Sequence, residues 1–161
     1  MSAAVACLFA VSSCGDDASK SSPGASAVPS YASGNNQHGA EQFASYWVDT
    51  LNKATVSGKT GQLKTLGLKS CTRCTDFAHQ LDTIYAAGGR VETAGWKVQT
   101  VLPESGLPQD VTGLSVKVQV SPQSVVKQKG ASAEEHKGGA LVVRMILTRT
   151  DDHWVVKSLD I

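Results

Sequence analysis

No apolar run in this chain of 161 residues reaches the ~20 that a membrane-spanning helix needs. An excess of either charge is also missing. With 15 basic and 14 acidic residues the net charge is +1, which lacks the electrostatic footprint of a nucleic-acid binder. No Gly-rich phosphate cradle, Ser-centred nucleophile motif or HExxH helix is present. Lys127 and Lys129 flank a loop and are too few for a polyanion site. The single Cys-x-x-Cys, at Cys71 and Cys74, is followed by no second one and no paired His, so a tetrahedral zinc set is incomplete. Glu134, Glu135 and His136 lie together in a polar stretch but lack a fourth ligand and read as a solvated cluster. No metal, cofactor or internal repeat is expected.

What is present begins with a short apolar run, Ala3 to Val11, followed by small residues and Cys14. That is the shape of a secretory h-region and cleavage site. Val11-Ser12-Ser13-Cys14 resembles a bacterial lipobox, which implies cleavage before Cys14 and transfer of a diacylglycerol to its thiol. Residues 1–13 are then a lipoprotein signal peptide, and Cys7 leaves with it. No Lys or Arg precedes the run, so the true start is expected upstream of Met1 or the assigned start is wrong. Residues 14–39 are dominated by Ser, Gly, Ala, Pro and Asn. They are expected to form a disordered tether with an r.m.s. reach of about 25–30 Å, with His38 solvated.

The domain is expected over residues 40–161. Phe43, Trp47, Leu51 and Ala54 trace one helical stripe that ends at Ser57-Gly58. A short helix is predicted from Gly61 to Leu66, with Thr60 as N-cap and Leu63, Leu66 and Leu68 inward. The third helix carries Phe77, Leu81, Ile84 and Tyr85 on one face, with Thr72 as N-cap and Gly88 as its left-handed terminator. The period then changes to two. Trp96, Val98, Thr100 and Leu102 are expected inward on a first strand, followed by a loop from Pro103 to Pro108. Leu114, Val116, Val118 and Val120 mark the next strand, which Pro122 ends or bends. Val125 to Lys137 reads as a long hairpin loop. Leu141, Val143, Met145 and Leu147 form a strand with Arg144 and Arg149 facing out. A turn at Asp151-Asp152 leads to a last strand bearing Trp154, Val156 and Leu159. Helices followed by about four antiparallel strands give an α+β class, with a curved sheet around the long first helix.

This order, with its terminal W-V-V-K-S-L strand, resembles the nuclear-transport-factor-two-like (cystatin-like) α+β cone. More closely, the chain is similar to a family of actinobacterial lipoproteins of unknown function. The features that carry the likeness are Cys14, the Ser/Pro-rich tether, Phe43-x-x-Tyr46-Trp47, Leu51-Asn52-x-Ala54, Cys71-x-x-Cys74, and Ile84-Tyr85-x-x-Gly88-Gly89 followed by Trp96. The resemblance implies a secreted, lipid-anchored, cone-shaped domain on the outer face of the cell membrane. It supplies no catalytic residues.

Cones of this kind often enclose a pocket, which Phe43, Tyr46, Trp47, Tyr85, Trp96 and Trp154 are candidates to line; the same aromatics also suit a plain core. Proton-shifting enzymes of the class need a carboxylate or similar base inside the pocket. Asp49, Asp76, His79 and Asp82 are the candidates, and helical phase turns the three aspartates to solvent. Cys71 and Cys74 fit a structural disulfide, a redox dithiol at a helix N-terminus, or part of a metal site. Three functions follow. The first is a non-enzymatic envelope module, tethered to the membrane through Cys14, that binds a small apolar ligand or another envelope protein. The second is a thiol-disulfide protein using Cys71 and Cys74, and the third a small pocket enzyme of isomerase type.

Overall fold

The computed structural model describes residues 28–150 and 153–161. The signal peptide over 1–13, Cys14, the first part of the tether and the Asp151-Asp152 turn lie outside the described residues.

The folded chain starts earlier than residue 40. A 3-10 turn over Ser30–Ala32 buries Ala32 completely. Trp154 Nε1 donates to the Gly34 carbonyl at 2.7 Å, and Arg149 donates to that of Ser33 at 3.2 Å. The tether expected up to residue 39 therefore gives way to packed chain by residue 28. Apolar contacts and two donors from the far end of the sequence overcome its loop-like composition.

Helix α1 spans Gln37–Ser57, with the Asn36 side chain accepting from the Gly39 amide at 2.9 Å as N-cap. The predicted stripe of Phe43, Trp47, Leu51 and Ala54 is buried, each large side chain stabilising the fold by about 1.5–3 kcal/mol. Gly58, at φ +70°, ends the helix as its amide donates to the Ala54 carbonyl. Helix α2 is the short Gly61–Thr65. Helix α3 spans Thr72–Ala86, and its N-cap is Cys71, not Thr72. The Cys71 sulfur accepts from the Cys74 amide at 3.3 Å, while Thr72 is already helical. At the other end the Gly89 amide donates to the Ile84 carbonyl and Gly88 to that of Tyr85, a Schellman closure with Gly88 at φ +72°.

Among the described residues seven strands follow: β1 Arg90–Thr93, β2 Trp96–Glu104, β3 Val111–Val120, β4 Gln123–Val126, β5 Glu134–His136, β6 Gly139–Thr150 and β7 His153–Asp160. They pair antiparallel in two sheets, ordered β2-β3-β6-β7 and β1-β4-β5. The two sheets are continuations of each other. β1 runs into β2 through Ala94-Gly95, β3 into β4 through Ser121-Pro122, and β5 into β6 through Lys137-Gly138. Three long strands thus bend together, each at a Gly or a Pro. The Ser121 amide donates across the bend to the Gly95 carbonyl at 3.0 Å. The expected sheet of about four strands is found as β2-β3-β6-β7, and the smaller sheet continues it across this crease.

Two expectations change with it. The stretch from Val125 to Lys137 is not one loop: Val125 pairs with Glu134, and Gln123 with His136. The phase of β2 also flips. Val98 pairs with Val118 but Thr100 with Lys117, leaving Gln99 as a bulge. One extra residue exchanges the faces of everything after it, so Val101 turns inward and Leu102 is 60% exposed. The same strand carries Pro103 and Glu104, which were expected in a loop. Leu114, Val116, Val118, Val143, Met145 and Leu147 line the inner face as predicted. The outer edge of β7 is closed by a parallel bridge from Gly67 to Val156, with Leu68 donating to Val156 and Val156 to Leu66 at 2.9 Å each.

Candidate functional site

A cleft of about 430 Å³ lies in the angle of the crease, between α1 and α3 on one side and the small β1-β4-β5 sheet on the other. Leu51 and Leu81 are buried at its base, with Phe77, Ile84 and Trp96 half-buried along its sides. Phe77 and Trp96 meet edge to face with ring centroids 5.9 Å apart. Val91 and Val125 come from the small sheet.

One side chain holds this wall in place. Asn52 Nδ2 donates to the Trp96 carbonyl, and its Oδ1 accepts from the Trp96 amide, both at 2.8 Å. An α1 side chain therefore substitutes for a neighbouring strand at the start of β2. Gly95, at φ +85°, makes this approach feasible, because a Cβ there would lie 2.6 Å from Asn52 Oδ1.

Of the six aromatics considered as pocket lining, only Trp96 lines this cleft. Phe43 and Trp47 have no exposed surface and fill the core, where Trp47 packs edge to face on Phe77 at 6.2 Å. Tyr46 is buried, with its hydroxyl accepting from Gln62. Tyr85 lies beside Gly58, donating to the Thr55 carbonyl at 2.7 Å. Trp154 sits at the opposite end of the sheet, with the Arg149 guanidinium 5.2 Å from its ring centroid, and with Arg149 and Leu107 it lines a separate cleft of about 530 Å³. Phe43, Tyr46 and Trp47 belong to a packed core, and the crease cleft lies outside it.

The candidate bases do not converge. Asp49, Asp76 and His79 are exposed, and none of them lines the cleft. Asp82, expected to face solvent, is half-buried and committed. It accepts from Lys64 Nζ and from Thr60 Oγ1, both at 2.5 Å. The Lys64 ammonium, then the Thr60 hydroxyl, hold its carboxyl below the ordinary aspartate range against a smaller opposing effect of burial. The ionisable groups at the cleft all come from the hairpin side: Lys127, Glu134 and His136. Lys127 Nζ forms an ion pair with Glu134 Oε1 at 2.9 Å.

Cys71 and Cys74 are joined as a disulfide. They are 2% and 7% exposed, which shields both sulfurs from attack. Cys74 borders a further cleft of about 390 Å³ with Leu63, Lys64, Gly67 and His79. Among the described residues no group of three or more His, Cys, Asp or Glu is arranged to hold a metal. No helix among them is long and apolar enough to cross a membrane.

A family model, described as a family of unknown function (DUF6318), matches residues 25–160. The chain belongs to this family. The match starts three residues before the described chain, in keeping with the early start of the fold. No curated protein matches the chain. Among solved structures it is similar to the intermembrane space region of the chloroplast protein ARC6, at 8% identity and a TM-score of 0.56, over 78% of this chain and 95% of that one. It also matches an uncharacterised Caulobacter vibrioides protein with a cystatin-like fold, at 9% identity and a TM-score of 0.46, over 75% and 87% of the two chains. Aln2 from a Streptomyces species matches at 11% identity and a TM-score of 0.45, over 74% and 84%. Likeness at these identities is one of fold. The likeness to the ARC6 region agrees with the α+β arrangement that the sequence resemblance implied.

The sequence reading missed the residues that build the cleft from the small sheet. Val91 and Val125 stand in strands of four residues, too short to display a period. Asn52 was visible within Leu51-Asn52-x-Ala54, and the Gly95-Trp96 pair that receives it was visible as well. Nothing in the sequence joins two sites 44 positions apart.

Proposed function

We propose that this protein is a lipid-anchored, extracytoplasmic binding module of the cell envelope, held at the outer face of the membrane through Cys14, and that the crease cleft takes a small apolar ligand. The observation that carries the binding part is the group of half-buried Phe77, Ile84 and Trp96 side chains facing one cleft. Its volume falls within the range of ordinary ligand sites, roughly 300–1,000 Å³, and its walls are mostly apolar, as such sites require. The anchoring part rests on Val11-Ser12-Ser13-Cys14 after an apolar run. A buried disulfide suits an oxidising compartment.

The thiol-disulfide reading has in its favour the clefts that Cys74 and Cys71 border. Against it stands the deep burial of Cys71. The isomerase-like reading is less favoured, because none of Asp49, Asp76, His79 and Asp82 lines the crease cleft and the Glu134 carboxylate there is paired with Lys127.

Mass spectrometry of protein purified from native membranes tests the proposal. Under denaturing conditions the mature chain is expected to start at Cys14 and carry a diacylglycerol mass. Under native conditions an apolar molecule is expected to accompany it. An unmodified Cys14 would remove the anchoring part, and a chain without adduct the binding part.

A further inference from the structure

The cleft's two walls differ in charge. The helical wall offers Leu51, Phe77, Leu81 and Ile84, with no ionisable side chain. The amide of Asn52 on this wall is spent on Trp96. Every ionisable group that lines the cleft stands on the β4–β5 hairpin. Between Gln123 and Lys137 that hairpin carries Lys127, Lys129 and Lys137 against Glu134 and Glu135. Glu135 accepts from Ser124 at 2.7 Å, and Glu134 is the partner of Lys127. The Lys127 and Glu134 side chains are 62% and 48% exposed, so their pairing is weak and exchangeable.

We infer that the cleft takes a single-chain amphiphile with an anionic head, its aliphatic tail against Phe77, Ile84 and Trp96 and its head on Lys127. The head replaces the Glu134 carboxylate as the partner of an ammonium that is already at the rim. This reading rests on the binding function proposed above and adds the sign of the head group. A carboxylate and a phosphate monoester share the required chemistry.

The full chain carrying Cys14→Ser, which removes any acyl group, is titrated with dodecanoate, dodecyl phosphate, dodecanol and dodecyltrimethylammonium below their micellar concentrations. Trp96 fluorescence reports binding, with Trp96→Phe as the control for Trp47 and Trp154. The two anionic probes are expected to bind more tightly than the alcohol by up to about fivefold, the upper end for one exposed charge pair, and the cation more weakly than the alcohol. Lys127→Gln is expected to abolish the anionic preference, and Glu134→Gln to increase it. Both residues are exposed, so both variants are expected to keep the native circular dichroism spectrum. Preference for dodecanoate over dodecyl phosphate, or the reverse, identifies which head is favoured and supports the inference. Equal affinity for all four probes overturns the head-group inference and leaves the apolar cleft standing. Tighter binding of the cation overturns it as well. Failure of all four to bind overturns the cleft reading itself.

Discussion

Asn52 and Trp96 are joined by two hydrogen bonds of 2.8 Å, in which the side-chain amide of one meets both backbone polar groups of the other. This clasp fixes the first residue of β2 to the C-terminal part of α1, and it sets the wall of the cleft. Asn52→Leu leaves the Trp96 amide and carbonyl without these partners. We expect it to cost about 2 kcal/mol, measured as a lower midpoint in urea unfolding with an unchanged slope. Asn52→Asp keeps the acceptor for the Trp96 amide but turns a carboxylate oxygen on the Trp96 carbonyl. It is expected to be destabilised at neutral pH and partly relieved in acid.

Gly58 and Gly130 test the separation of backbone strain from crowding. Both have positive φ, +70° and +80°. At Gly130 nothing lies within 4 Å of an added Cβ, whereas at Gly58 the Tyr85 ring occupies its place. Gly130→Ala is expected to cost about 1 kcal/mol, from backbone conformation alone. Gly58→Ala adds a clash with a ring held by its hydrogen bond to Thr55, for a total of about 3 kcal/mol. Thermal melts of the two variants should differ in that order.

The disulfide closes a ring of few residues, so it constrains the unfolded chain little. Replacing both Cys71 and Cys74 with Ser is expected to cost about 2 kcal/mol while leaving the secondary structure intact. Because both sulfurs are buried, reduction of the native protein by a water-soluble thiol should be slow, and much faster in denaturant. Timed alkylation followed by mass measurement checks this.

Asp82 gives a pH signature of known sign. Its carboxyl is held below the ordinary range by Lys64 and Thr60. A group with a depressed folded pKa contributes stability above its unfolded value, lost as pH falls through the folded one. Wild type is therefore expected to lose stability relative to Asp82→Asn below about pH 4. Exposure of the pair limits the difference to less than about 1 kcal/mol. Unfolding midpoints of the two proteins between neutral and acid pH measure it.

Helices α1 and α3 were legible in the sequence because their stripes are long enough to show a period, and Gly58 and Gly88 mark their ends. The four long strands were legible for the same reason. The crease was not. Gly95, Pro122 and Gly138 each look like an ordinary break, and only their alignment across three strands turns them into one bend. The bulge at Gln99 hid the inward turn of Val101, since periodicity assumes an uninterrupted register. The pocket aromatics were chosen by spacing, which selects buried faces. Phe43 and Trp47 accordingly proved to be core, while Phe77 and Ile84, on the edge of the α3 stripe, reach the cleft.

Native mass spectrometry of the membrane-purified protein, wild type beside Ile84→Glu, tests the binding site most directly. Ile84 is half-buried at the cleft wall, so a carboxylate there should expel an apolar occupant with little harm to the fold. The account predicts a non-covalent adduct on the wild type that is absent from the variant. A wild type without adduct, or an adduct that survives Ile84→Glu, would contradict it.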